Sequence, residues 1–340
     1  MRFSIRSGVC LAAVTSLLAT FPAVSRAENV TGAGSSFAAP IYESWGAAAK
    51  TATGVTVNYQ SVGSSAGQNQ ILAGTVDFGA SDAPMDAKKL EAGHLFQFPT
   101  VMGGIVPVVN IPGVKPDAIT LSGEVLAGIY AGDITTWDDA KIAALNPGVH
   151  LPDTAIAPVH RADGSGTTFV FTSYLADSSE SWKQNQGAST SINWPSGLGA
   201  RGNDGVAATV RNTEGAIGYV EFAYASRNHL TTVRLRNKAG TDVAAGLLSF
   251  SHAAEAADWK TAQHFAINLL NTPGKDAWPV VSATYVLVPM PARNPARDEA
   301  VRTFFSWDFA NGDSAAEKLD YVPLPKSVKD DILAAWKSGK

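Results

Sequence analysis

The segment RADGSGTTFVFTSYL, residues 161–175, sets an arginine and an aspartate ahead of Gly-Ser-Gly-Thr-Thr and then runs into apolar residues. Small residues flanked by hydroxyls and followed by an amphipathic run describe a loop feeding a helix N-terminus. There the first N–H groups lack partners and the peptide dipoles present their positive end, so the place can hold an anion. An ordinary turn capped by Ser or Thr uses the same residue types. Three other stretches share the chemistry. TGAGSSFAAP (31–40) is a Gly/Ser loop before a helix, SVGSSAG (61–67) leads from a strand through Gly-Ser-Ser into a helix, and FGASDAP (78–84) ends a strand with Asp82. Ser36 with the Phe37 N–H, Ser64, and Ser165, Gly166 and Thr167 then offer donors at three strand-to-helix junctions. Arg161 adds a full charge whose planar fork suits a tetrahedral oxyanion. Three such junctions favour one shared anion site over three unrelated caps.

Metal and nucleotide chemistry are not signalled. The six histidines (94, 150, 160, 229, 252 and 264) are scattered with no paired ligand spacing. Gly-Ser-Gly-Thr-Thr lacks the lysine of a nucleotide-binding P-loop. His160, Asp163 and Ser165 have the residue types of a catalytic triad, without the pattern of a nucleophile elbow. His160 reads as a solvated or packed side chain rather than a base.

The elements that must position these loops follow from periodicity. PIYESWGAAAKTA (40–52) is helical with Pro40 in its first turn, VTVNYQSV (55–62) alternates as a strand, 65–75 is a short helix and 76–82 a strand. Residues 103–111 form an extended run in which Pro107 is expected to interrupt a central ladder. Helices are expected over 122–132 and 136–146, the second with Thr136 and Asp139 as a capping box. Strands follow at 155–161 and 282–290. Val301, Phe304, Phe305 and Phe309 mark one buried helix face, and Val328, Ile332, Ala335 and Trp336 another. The class is α/β, in which ligands sit in loops beyond the carboxyl ends of strands.

The chain opens with Arg2 and Arg6, an apolar run from Val9 to about Val24, and Ser25-Arg26-Ala27. That is the pattern of a secretory signal peptide over residues 1–27 with cleavage after Ala27, too short and interrupted for a membrane anchor. Cys10, the one cysteine, lies inside it, so the exported chain uses no disulfide. Residues 1–27 hold three arginines and no acid, so 26 basic against 30 acidic residues becomes 23 against 30 without them. Such an acidic chain does not fit nucleic-acid binding. A remainder of roughly 310 residues exceeds what one core usually holds, which points to two lobes.

TGAGSSFAAPIYESW, VNYQSVGSSAGQNQI, TVDFGASDAPM, RADGSGTTFVFTSYL and GNDGVAATV…GAIGYVEFAYA resemble, in order and over nearly all of residues 28 to 338, the PstS family. These are the periplasmic phosphate-binding proteins of bacterial phosphate ABC transporters. The resemblance implies a two-lobed periplasmic-binding-protein fold, each lobe a sheet flanked by helices, joined by a hinge. Residues 28–108 and 284–340 would form a discontinuous lobe I and 109–283 lobe II, with crossovers near 104–111 and 282–290. It implies phosphate held fully dehydrated between the lobes by Ser36, the Phe37 N–H, Ser64, Asp82, Arg161, Ser165, Gly166 and Thr167, with Asp163 orienting Arg161. Ser36 stands where the family commonly has threonine, and His160 where relatives often place a second arginine. No cofactor or metal is implied; the partners are inorganic phosphate and the permease and ATPase of the importer, and the receptor is a monomer.

Asp82 makes chemical sense with a protonated anion. A carboxylate repels a fully ionised oxyanion but accepts a hydrogen bond from one that keeps a proton, as phosphate does near neutral pH and sulfate does not. Otherwise Asp82 is a strand-end turn cap. The reading is a non-enzymatic phosphate receptor. Its rivals are a secreted phosphatase-like relative with Ser64 or Ser165 as nucleophile, and a surface adhesin.

Overall fold

A computed structural model describes residues 29–338 of the 340-residue chain. The expected signal peptide and its cleavage after Ala27 lie outside the described residues. In chain order come β1 (Asn29–Gly34), α1 (Ala39–Thr53), β2 (Thr56–Ser61), α2 (Ser64–Ala73), β3 (Phe78–Ser81), α3 (Ala87–Gly93) and β4 (Leu95–Val109). They are followed by β5 (Thr120–Ser122), α4 (Gly123–Ala131), α5 (Ala140–Leu145), β6 (Ala157–Arg161), α6 (Gly166–Ser178), α7 (Glu180–Asn185), β7 (Leu198–Ala200), α8 (Gly202–Asn212), β8 (Ala216–Glu221) and α9 (Phe222–Arg227). The last part holds β9 (Thr231–Thr232), β10 (Arg234–Arg236), β11 (Asp242–Val243), α10 (Leu247–Glu255), β12 (Val281–Pro289), α11 (Pro295–Asn311), α12 (Asp313–Lys318), β13 (Val322–Pro323) and α13 (Lys326–Ser338).

The main sheet has the order β2-β1-β3-β12-β4-β8-β6-β7, with β13 and β9 also paired to β4. β1, β2 and β3 run parallel, and so do β6, β7 and β8, while β4 and β12 run antiparallel to their neighbours. The sheet therefore has two parallel flanks, and a helix follows the carboxyl end of β1, β2 and β6. All fifteen residues of β4 are buried, so it reads as a continuous apolar run rather than an alternation. Residues 95–104 of β4 pair with β12 and residues 105–109 with β8, so one strand changes partner midway. Gly103 stands just before that change. A Cβ there would lie 2.9 Å from the Phe37 ring, which makes glycine the residue that lets the ring approach the strand.

One expectation is borne out and one corrected here. Pro107 sits opposite Tyr219 in the β8 ladder, while on its other side the β12 ladder ends at Gly104 and pairing resumes with β9 only at Val108, so that ladder is interrupted around the proline. Thr136 and Asp139 form no capping box. Asp139 is itself the N-cap of α5 and accepts from the Lys141 N–H at 2.8 Å, while Thr136 makes an isolated bridge to Ala155.

The helices pack by the stripes their spacing describes. α1 carries Pro40 in its first turn, buries Ile41, Tyr42, Trp45 and Ala49, and stops at Gly54 in the left-handed region. Phe305 of α11 meets Tyr42, Phe78 and Phe98 edge-on, with centroids 5.2–6.0 Å apart. Val301, Phe304 and Phe309 of α11 and Val328, Ile332 and Trp336 of α13 are buried, with Ala335 half-buried. On the other flank Phe171 stacks on Tyr219 at 4.2 Å. These packings seat the helices on each flank of the sheet.

Candidate functional site

The turn after β1 carries Ser35, Ser36 and Phe37, all buried, into α1. The turn after β2 carries Gly63 into α2, which begins at Ser64. Asp82 follows β3, is 1% exposed, and donates its N–H to Ser64 Oγ at 3.2 Å. From the other flank, Arg161 ends β6, and a four-residue turn leads through Asp163 to Ser165, the N-cap of α6. Ser165 Oγ accepts from the Thr168 N–H at 3.0 Å, while Gly166 and Thr167, as first residues of α6, have no carbonyl one turn earlier to accept theirs.

The two flanks touch at these turns. A Cβ on Gly166 would lie 2.5 Å from Ser64 Oγ and 2.7 Å from Asp82 Cβ, so the glycine permits the contact. The Ser65 N–H, in the first turn of α2, donates to Gly164 O across the cleft at 3.0 Å. Asn203 at the start of α8 donates from Nδ2 to Ser36 Oγ at 2.9 Å, and Tyr224 Oη donates to Ser36 O at 2.7 Å. The N-termini of α1, α2 and α6 thus converge, and their positive dipole ends, with the first N–H groups of α6, suit a negative ligand.

The charges are arranged around the same point. Asp163 grips Arg161 through both Nε and Nη2, leaving Nη1 to approach Thr167 Oγ1 at 3.5 Å. Burial pushes the Asp163 carboxyl up, but the hydrogen bonds and charge of Arg161 outweigh it and hold the group below the usual carboxylate range. Asp82 is pushed up to about 6 by burial, against hydrogen bonds from Ser35 and Thr284, the charge of Arg161 and a hydrogen bond from Thr167. Its Oδ1 accepts from both Ser35 Oγ and Thr284 Oγ1, the latter at 2.8 Å. The site is a shell of donors holding one buried acceptor.

The structure brings Ser36, Phe37, Ser64, Asp82, Arg161, Ser165, Gly166 and Thr167 into one cleft, with Asp163 behind Arg161. The Phe37 N–H is also in use within the chain, donating to Ser35 Oγ at 3.0 Å. His160 lies beside this cluster but stacks on Trp194, centroids 4.9 Å apart, and burial lowers its pKa. Ser35, Asn203 and Thr284 were not singled out in the sequence. Ser35 neighbours a chosen serine, and Thr284 lies in an apolar strand. A cavity of about 330 Å³ behind Asp82 is walled mainly by Phe169, Val170, Ile267, Leu269 and Val281, too apolar to replace the hydration of an anion.

Comparison with known proteins places the chain in a family and a fold. Residues 20–311 match the family model described as a PBP superfamily domain. The "Phosphate-binding protein PstS" of Pasteurella multocida is 48% identical, over 95% of this chain and 94% of that one. That of Haemophilus influenzae is 46% identical, over 94% of this chain and 96% of its own. Among solved structures, the high-affinity periplasmic phosphate-binding protein PfluDING, bound with phosphate, aligns with a TM-score of 0.72 at 20% identity, covering 91% of this chain and 94% of that one. A phosphate-bound substrate-binding protein of a putative phosphate ABC transporter, from Clostridium perfringens, aligns at 0.65 and 18% identity, covering 88% and 100%. The fold is the two-lobed α/β fold of periplasmic binding proteins, and with relatives this close over nearly the whole length, the chain belongs to the PstS family of phosphate-binding proteins.

Proposed function

We propose that this chain captures one inorganic phosphate in the cleft between its two flanks and delivers it, in the periplasm, to the permease and ATPase of a phosphate ABC importer. The observation that carries the reading is the donor shell around a single buried acceptor. Arg161, the hydroxyls of Ser36, Ser64, Ser165 and Thr167, and the first N–H groups of α6 meet oxyanion oxygens, while Asp82 takes the proton that phosphate keeps. The export of a monomer cleaved after Ala27 belongs to this proposal, as does the lobe division at 28–108 with 284–340 against 109–283. The partner change along β4 and the cross-cleft hydrogen bonds of Ser36 and Ser65 support a hinge there that closes on ligand.

The proposed role is binding without turnover. Ser64 Oγ and Ser165 Oγ are each hydrogen-bonded to a backbone N–H, and among the described residues no histidine or carboxylate pairs with either as a base. Calorimetric titration of the ligand-free mature chain is the test. One phosphate per chain, with sulfate bound far more weakly, is expected; equal affinity for the two anions would overturn the reading.

A further inference from the structure

Asn203, early in α8, is fully buried and joins groups from both flanks. Its Nδ2 donates to Ser36 Oγ at 2.9 Å and reaches Thr167 Oγ1 at 3.4 Å, and its backbone N–H gives Ser36 Oγ a second donor at 3.2 Å. The Glu221 N–H donates to Asn203 Oδ1 at 3.0 Å, which decides the end of the amide that is oxygen. Both amide hydrogens of Asn203 are therefore aimed at hydroxyls of the cleft.

A serine hydroxyl has one proton and two lone pairs. Asn203 occupies both acceptor directions of Ser36, so the remaining proton is left to point at the ligand. Thr167 Oγ1 also lies within reach of Asn203 Nδ2 and Arg161 Nη1, while its own proton serves Asp82. We propose that Asn203 is a positioning residue for the anion: as the flanks close, it holds the hydroxyl of Ser36 as a donor toward phosphate. The proposal rests on the phosphate reading above. In the closed cleft a hydroxyl held in this way presents its proton and no lone pair to the bound oxygen, so the contact is a donor contact only.

A double-mutant cycle separates this role from mere packing. Phosphate affinity is measured by calorimetry for wild type, Asn203→Leu, Ser36→Ala and the double variant, with Asn203→Ala run beside the leucine variant as a smaller replacement. Ligand-free melting is recorded for each. Each single change should weaken phosphate about tenfold or more, as expected for hydrogen bonds to a charged group. Once Ser36 is alanine, the change at Asn203 should cost about threefold or less, because most of what it acts through is gone. Multiplying effects would overturn the proposal, as would unchanged affinity in the Asn203 variants or loss of the ligand-free fold in both. Wild type failing to bind phosphate would bring down the functional reading itself; wild-type binding with multiplying effects would remove only the role of Asn203.

Discussion

Tyr321 holds its one hydroxyl proton between two acceptors, the carbonyl of Phe37 at 2.6 Å and Glu221 Oε2 at 2.9 Å. A phenol can donate once, and Phe37 O can only accept. The arrangement is complete when Glu221 keeps a proton and donates it to Tyr321 Oη. Glu221 is fully buried and its carboxyl lies well above the usual range; burial drives the shift, the Ala223 N–H and Tyr321 oppose it, and Asp320 and Asp82 add to it. The neutral chain Glu221–Tyr321–Phe37 thus ties the end of β8 to the turn before α1.

This fixes the sign of a pH effect. The unfolded chain ionises Glu221 near its ordinary value of 4.5 while the folded chain keeps the proton, so wild type loses stability as pH rises from there toward the folded value. Glu221→Gln supplies a permanent donor in the same shape. The two proteins should melt alike near pH 4 and diverge as pH climbs to about 8, with the glutamine variant the more stable. A melting difference independent of pH would show that Glu221 is ionised in the fold.

Asp82→Asn keeps the shape of the acceptor and exchanges its negative charge for an amide donor. Wild type should reject sulfate near neutral pH, and the variant should lose much of that rejection while holding phosphate. Because Asp82 titrates at about 6, wild type should itself begin to admit sulfate as pH falls through that value and the carboxyl becomes a donor. Titrations with both anions at fixed ionic strength check this. Strong exclusion of sulfate by the asparagine variant would sink the role given to Asp82.

Arg161 serves two masters at once. Its Nε and Nη2 are held by Asp163, and Nη1 is turned toward Thr167. A lysine ammonium cannot meet a carboxylate in a fork and also face the cleft, so Arg161→Lys should weaken phosphate about tenfold or more. Asp163→Asn should weaken it less, since the guanidinium keeps its charge and loses only its tether. Calorimetry on both variants gives the order; the reverse order would contradict it.

Gly166→Ala tests closure apart from chemistry. The added methyl would meet Ser64 Oγ and Asp82 Cβ from the opposite flank, and no left-handed backbone is involved. Melting of the ligand-free variant should be nearly unchanged. Phosphate affinity should drop on the order of a hundredfold, the cost of overpacking a tight contact. Small-angle scattering should show wild type contracting with phosphate and the variant contracting less. Equal contraction in both would mean that the two turns do not meet in the bound state.

Much of the site was legible because its residues sit where strands end and helices begin, and those junctions carry local marks: Gly and hydroxyls after an alternating run. Ser36, Ser64 and Ser165 are marked in this way. What was not legible is whatever orients them from afar. Asn203 is 167 residues from Ser36, and Thr284 is 202 from Asp82, so no local spacing links them. Pro107 was legible because a proline lacks the donor that a second ladder needs, and the strand passes it where only the β8 ladder runs. Thr136 misled because a bridge to Ala155 outweighed its capping preference.

The position of β12 governs when this molecule can fold. It lies between β3 and β4 in the sheet, so residues 281–289 must arrive before strands made some two hundred residues earlier can be joined. The flank built from β1, β2 and β3 has no completed neighbour until then. Non-local pairing of this kind slows folding and leaves an early fragment with an open sheet edge. The sheet of this receptor is therefore closed last by a strand from the final fifth of the chain.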